Sequence, residues 1–277
     1  MSAAPLYIVA TPIGNLQDIT LRALELLASV DIVAAEDTRR SRVLLGHHGI
    51  ERALLALHEH NEESQSPLLV ERMKGGESVA LVSDAGTPLL SDPGYRLVSL
   101  AVKAGIEVIA VPGASALTAA LSVSGLPTDR FGFEGFLPAK RAARGKRLQS
   151  LADETRTLVF YESSHRIERC LSDMSLAFGA DRPAAVCREL TKQFETVLRG
   201  PLADLHLAVA SDPNQRRGEF VIVVGGAKAS ADANLARAVE LARALLDDVG
   251  ASRAARIAAT IHAAPRREIY RQLLGPD

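Results

Sequence analysis

The sequence predicts an α/β protein of two domains with a small helical appendage at its C-terminal end, and three observations carry that prediction. Short β-branched runs alternate with amphipathic stretches through the first 120 or so residues. A second set of strand-like runs follows a cluster of turn residues. From Ala229 onward only helical patterns remain.

The first set of strands is LYIVA at Leu6, DIVAAE at Asp31, ALLALH at Ala53, SVALVSD at Ser78 and EVIAVPG at Glu107. Between them, stretches such as LRALELLASV and YRLVSLAVKAG space Leu and Val three and four apart, the helical period. Such alternation predicts a parallel or mostly parallel sheet with helices on both faces. After the small-residue helix ASALTAALSV, the segment SGLPTD gathers turn residues over Ser124 to Asp129, so the boundary divides residues 1–124 from 125–228. FGFEGFL at Phe131, TLVFYES at Thr157, AAVCREL at Ala184, ETVLRG at Glu195 and EFVIVVGG at Glu219 are the second set. RIERCLSDMSLAFG and LADLHLAVA supply helices among them. Residues 229–277 hold ANLARAVELARALLDD, ASRAARIAATIHAA and PRREIYRQLL, punctuated by Gly250 as a helix stop and Pro265 as a helix start.

Composition narrows the functional classes. A hydrophobic fraction of 47% with 23% charged residues is that of a globular protein, not a disordered or membrane one, and 4% aromatics means an aliphatic core. Apolar runs such as Val79–Val82 and Val221–Val224 fall far short of the ~18 residues a membrane span needs, and MSAAPLYIVATP carries no basic leader, so a soluble, cytoplasmic protein is expected. Cys170 and Cys187 show no metal-ligand spacing, which argues for structural thiols in a reducing compartment rather than a zinc site or disulfide. A net charge of −1 argues against bulk electrostatic coating of nucleic acid but leaves room for local basic surfaces.

Chemistry is expected in the loops that leave the strands. ATPIGNLQD turns out of the first strand without a GxGxxG pattern. Its Gly14 allows the close approach of another backbone or of a ligand, though a tight connection alone would need the same residue. VALVSD runs into the aperiodic AGTPLLSDPG at the carboxyl end of a buried strand, where open α/β sheets bind ligands. There Asp84 is either an acceptor for a ribose or amino group or a cap of the loop amides, and Asp92 before Pro93 reads as a helix N-cap. VPGASAL repeats the arrangement, with Gly113, Ser115 and Ala116 leaving a helix N-terminus uncrowded for a carboxylate or ribose oxygen. Two adjacent loops of this type make a small-molecule site. In the second half, YESSHR and CRELTKQFE crowd polar groups past strand ends. His165 reads as a solvated helix-start residue, and Glu189 with Lys192 as either a surface pair or site residues. LPAKRAARGKR holds Lys140, Arg141, Arg144, Lys146 and Arg147 without an acid. The tail adds Arg253, Arg256, Arg266, Arg267 and Arg271, so a basic loop and tail favour an RNA partner.

The ordered series ATPIGNLQDIT, AEDTRRSRVLL, HEHNE, LVSDAGTPLLSDPG, VPGASALTAAL, GFLP, FYESSHRI, CRELTKQFE and GEFVIVV closely resembles the tetrapyrrole methylase superfamily, over Leu6 to Gly226 and more loosely beyond. The resemblance implies a two-domain tetrapyrrole-methylase-like fold, S-adenosylmethionine in the cleft between domains, and a homodimer. It also implies a reaction, 2'-O-methylation of a cytidine ribose in the decoding centre of 16S rRNA, free or in the small ribosomal subunit. By position it places cofactor contacts on Asp84, Gly86 and Pro88, on Ser115 and Ala116, and on Tyr161, Leu190, Val224 and Gly225. A base for the hydroxyl proton, or its helper, is sought among Glu36, Glu189 and Lys192. Arg39, Arg40, Lys140 and Arg144 are assigned to phosphates. The alternatives are a relative that methylates a tetrapyrrole ring or a protein side chain, and a module that binds S-adenosylmethionine without chemistry.

Overall fold

In a computed structural model, residues 3–228 and 231–274 are described. They form two compact units, Met1–Gly225 and Gly226–Asp277.

The first unit holds two five-stranded sheets. Strands β1 (Leu6–Val9), β2 (Ile32–Ala35), β3 (Ala53–Ala56), β4 (Val79–Val82) and β5 (Val108–Val111) pair in the order β3-β2-β4-β1-β5, and every pairing is parallel. Crossovers by α1 (Leu21–Leu27), α2 (Thr38–His47), α3 (Glu62–Lys74) and α4 (Tyr95–Lys103) put all carboxyl ends on one edge. Both faces are covered. Leu6, Ile32, Leu81 and Leu97 pack on one side with α3 and α4, and Val9, Val33, Val82 and Leu27 on the other. That two-sided burial explains why β2 and β4 are unbroken apolar runs. The chain leaves β1 toward β2 on one side and leaves β4 toward β5 on the other. The neighbours β4 and β1 therefore flank the switch point where α/β sheets open a crevice.

The second sheet is mixed, in the order β6-β7-β10-β8-β9. It is built from β6 (Phe131–Phe136), β7 (Thr157–Ser163), β8 (Pro183–Arg188), β9 (Thr196–Pro201) and β10 (Glu219–Val224). Only β6 and β7 run parallel; β10 is antiparallel to both β7 and β8. One face packs Leu158, Phe160, Val186 and Ile222 under α6 (Arg141–Ser150), α7 (Ile167–Phe178) and α8 (Leu202–Ser211). The other packs Val159, Cys187 and Val221 against α5 (Ala116–Ser124), through Leu117, Ala120 and Leu121. Helix α5 ends with Gly125 in the left-handed region at φ 73°, a conformation glycine adopts without steric cost. It follows β5 in the chain yet covers the second sheet.

Two sequence expectations need correction. The cationic run Arg141–Arg147 is helix, not loop, and Arg144 and Leu148, one turn apart, form its buried edge. The run hides its period because one core position is an arginine. Asp92 is not the N-cap of α4, which starts at Tyr95 with Gly94 in the cap position.

The second unit consists of α9 (Ala231–Ala244), the single turn α10 (Leu246–Val249), α11 (Ala251–His262) and α12 (Arg266–Leu274). Ala238, Ala242, Ala254, Ala255, Ala258 and Ile269 form its core, so close alanine contacts replace large side chains. The expected start of the appendage at Ala229 lies outside the described residues.

Candidate active site

Four loops meet at a cavity of about 450 Å³ at the carboxyl edge of the first sheet. The turn after β1 is stitched to the loop after β4: Thr11 and Gly86 exchange backbone hydrogen bonds of 2.9 and 3.0 Å, and the Thr11 hydroxyl donates to the Ser83 carbonyl at 3.1 Å. The Thr87 hydroxyl donates to the Ala114 carbonyl at 3.2 Å, tying the same loop to the one after β5. Glu62 at the start of α3 accepts from the Gly94 and Arg96 amides at 3.1 and 2.7 Å, which anchors the loop's far end. The fourth loop follows β8. It is locked to β10, since the Glu189 amide donates to the Glu219 carbonyl and the Glu219 amide donates to Glu189 Oε1, both at 2.9 Å.

Backbone strain gathers at this cavity. Among the described residues, five that are not glycine have positive φ, and four of them are Leu89 and Ser91 on the loop after β4 and Glu189 and Thr191 on the loop after β8. Such conformations cost energy and persist where the surroundings over-determine them. Gly14 has an equally specific role. A Cβ there would overlap the Cγ of Lys192, whose stem lies across the first turn. The room that this glycine leaves is therefore taken by a lysine from the second half.

Three carboxylates line one wall. Asp84 accepts from the Asp37 amide at 2.9 Å through Oδ1 and pairs with Arg40 at 3.2 Å through Oδ2. Burial, together with the charge of Asp84, raises the Glu36 carboxyl above its ordinary value. Burial pushes Asp92 from 3.8 up to about 6, with Glu36 and Asp84 adding to the effect. Across the cavity, Lys192 Nζ donates to Glu189 Oε1 at 2.9 Å and to Glu219 Oε2 at 2.7 Å. Burial opposes the charge of Glu189, but the ammonium of Lys192 outweighs it and holds the carboxyl below its usual range. Lys192 itself is raised: burial works against its charge, and the two glutamates win. Ile13, Leu90, Ala116, Leu190 and Val221 supply apolar wall, with Tyr161 packed edge-on against Phe133 at 4.9 Å. Ser115 makes no side-chain cap to α5; the Leu117 amide of its first turn and the Ser115 side chain instead meet the Tyr161 hydroxyl across the cavity wall.

Of the residues singled out from sequence, Glu36, Arg40, Asp84, Gly86, Ser115, Ala116, Tyr161, Glu189, Leu190 and Lys192 all line this cavity. Pro88 is buried within the loop after β4 and does not line the cavity. Arg39 is 86% exposed and forks onto Asp37, with Nε 3.0 Å and Nη2 2.7 Å from its oxygens. Lys140 lies exposed at the start of α6, away from the cavity wall. Three residues depart from their expected places. Val224 is fully buried in the core, and the Gly225 amide is bonded to the Pro183 carbonyl at 2.8 Å. Because β10 runs antiparallel, its amino end, Glu219 to Val221, faces the cavity instead. Arg144 is 4% exposed. Its Nε and Nη2 reach Asp173 Oδ2 at 2.8 and 2.7 Å, so it is a core ion pair and not a phosphate contact. Sequence reasoning missed Asp92, disguised as a cap by the following proline, and Phe136, at the strand end of GFLP.

Residues 5–206 match the family Tetrapyrrole (Corrin/Porphyrin) Methylases. The chain is 57% identical to "Ribosomal RNA small subunit methyltransferase I" of Xylella fastidiosa (strain Temecula1), over 96% of this chain and 97% of that one. It is 52% identical to the protein of the same name in Pseudomonas aeruginosa, over 99% and 98%. Among solved structures it is similar to uroporphyrin-III C-methyl transferase from Thermus thermophilus complexed with S-adenyl homocysteine. The TM-score is 0.55 at 20% identity, covering 80% of this chain and 97% of that one.

Proposed function

The chain belongs to the tetrapyrrole methylase family, and from that premise we propose that it is an S-adenosylmethionine-dependent methyltransferase of small-subunit ribosomal RNA. Its proposed acceptor is the 2'-oxygen of a cytidine ribose in the decoding centre of 16S rRNA. The observation that supports this most directly is the convergence of strained loops from both halves on one cavity that carries carboxylates on one wall and a lysine on the other.

The cavity suits the donor by volume and by chemistry. Pockets of about 300–1,000 Å³ hold molecules of this size. Ile13, Ala116, Leu190 and Val221 would flank its apolar parts, Glu36, Asp84 and Asp92 its cationic ones, and the other first-turn amides of α5 its carboxylate or ribose oxygens. S-adenosylmethionine supplies an electrophilic methyl on a sulfonium leaving group. The protein's share is to align the ribose hydroxyl and accept its proton. Glu189 is a poor acceptor, because Lys192 stabilises its anion. Glu36 and Asp92 hold protons more readily, and we assign the proton to the Asp92 carboxylate with Glu36 beside it. Arg39 and Arg40 at the start of α2, with Lys140 on α6, present exposed cations for the RNA backbone.

No helix among the described residues is long and apolar enough to cross a membrane. The proposed setting is the cytoplasm, and the proposed assembly a homodimer, which sedimentation equilibrium tests. Incubating purified protein with S-adenosylmethionine and small subunits from cells lacking it, followed by mass spectrometry of the nucleosides, tests the function. A new 2'-O-methylcytidine is expected, and a product on another acceptor would overturn the proposal.

A further inference from the structure

Phe136 ends β6 and lines the cavity, yet it is 55% exposed. Its placement is specific. In a regular strand, residues three apart face opposite sides. Here Phe133 aligns with Val159, Gly135 with Phe160 and Phe136 with Tyr161, so one extra residue is inserted as a bulge. The bulge returns Phe136 to the face shared by Phe133 and Tyr161, the face of the cavity, and its ring lies edge-on to Tyr161 at 5.6 Å. Bulges beside active sites re-aim side chains in this way. Gly135 makes the bend at φ 62°, where a Cβ would meet the Ser91 hydroxyl at 2.9 Å. Ser91 is itself one of the strained residues of the cavity loop.

We propose that Phe136 is the platform on which the base of the acceptor nucleotide stacks, an inference that rests on the RNA-methylating reading above. The buried walls, Ile13, Leu190 and Val221 at 5–8% exposure, are the place for the donor's purine. Phe136 stands outside them at the rim. The chain then runs four residues to Lys140 and Arg141, both exposed, so an aromatic face and phosphate-binding charge lie in sequence along one edge. That pairing is how single-stranded or splayed RNA is held: bases stack on rings, and the backbone follows cations.

The test compares Phe136→Ala, Phe136→Leu and Phe136→Tyr in the full chain. For small subunits, kcat/KM is expected to fall between about fivefold and about 150-fold in the alanine variant. It should stay low with leucine, which restores bulk without a π face, and return to within about twofold with tyrosine. The Kd for S-adenosylmethionine by calorimetry should be unchanged in all three. Wild-type kcat/KM in Phe136→Leu would overturn the stacking role, as would a loss of donor affinity as large as the loss of kcat/KM. If the wild-type protein methylates no ribose in small subunits, the functional reading itself falls and takes this inference with it.

Discussion

Asp92→Asn should make this protein more stable and less active. In the fold Asp92 keeps its proton up to about pH 6, whereas in the unfolded chain it loses it near 3.8. The native state therefore binds more protons between these values, and stability must fall as pH rises through that window. At 1.36 kcal/mol per pH unit the difference amounts to about 3 kcal/mol. The side chain is only partly buried, so solvent screening reduces this to about 1.5 kcal/mol. Asparagine keeps the shape and cannot ionise. At pH 8 the variant should unfold at a Tm about 3–6 °C higher than wild type. The gain should shrink as pH drops below 6, be mostly gone near 4, and vanish below about 3, where Asp92 is protonated in both states. If Asp92 accepts the ribose proton, wild-type kcat should also rise with pH through about 6, and the variant should lose both that limb and most of its rate. Paired melts across pH 4–8 check the argument. A stability gain that is the same at pH 4 and pH 8 would refute it, because only an ionising group gives the pH dependence.

Two further variants, one single and one double, separate structural from RNA-facing cations in α6 and at its cap. Arg144→Ala leaves the buried Asp173 carboxylate with only the exposed Arg141, 3.4 Å away, and should cost about 3–5 kcal/mol, read as a lower urea midpoint; a change under about 1 kcal/mol would contradict the core-pair assignment. Lys140→Glu with Lys146→Glu, both exposed, should leave the urea midpoint within about 0.5 kcal/mol of wild type. The same pair should weaken RNA binding and flatten the slope of log affinity against log salt by about 0.7 per lost phosphate contact. An unchanged slope would remove α6 from the RNA surface.

Much of the architecture was legible because each strand carries its own burial signature. The unbroken apolar runs IVAA and VALV mark a sheet covered on both faces, and the parallel order follows from the helices between them. The loops leaving β4 and β5 were readable as a site for the same reason: in a parallel sheet every carboxyl end shares one edge. That rule fails in the second sheet. Strand direction is set by how the chain returns, not by composition: the family resemblance puts the carboxyl end of EFVIVVGG, Val224 and Gly225, at the cofactor, whereas its amino end meets the cavity. Arg144 was misread because a cation in a basic run looks solvated until Asp173, 29 residues away, is placed beside it. Phe136 escaped notice because the bulge that turns it inward depends on a two-against-one register with β7, which no local pattern shows.

One side chain spans the two halves at the site, beside the packing of α5 on the second sheet. Lys192 reaches from the strained loop of the second half over Gly14 in the first, and its ammonium closes a bridge to Glu189 and Glu219. Any Cβ at position 14 must displace that stem, and displacing it opens both hydrogen bonds. Gly14→Ala should then cost about 1–3 kcal/mol by overpacking and lower affinity for S-adenosylmethionine. In a Lys192→Ala background the stem is gone, and the same alanine should be nearly neutral. The double-mutant cycle should therefore show an interaction energy of at least about 1 kcal/mol, far above the few tenths expected of independent sites. Strict additivity would mean that Gly14 serves its own turn and not the lysine.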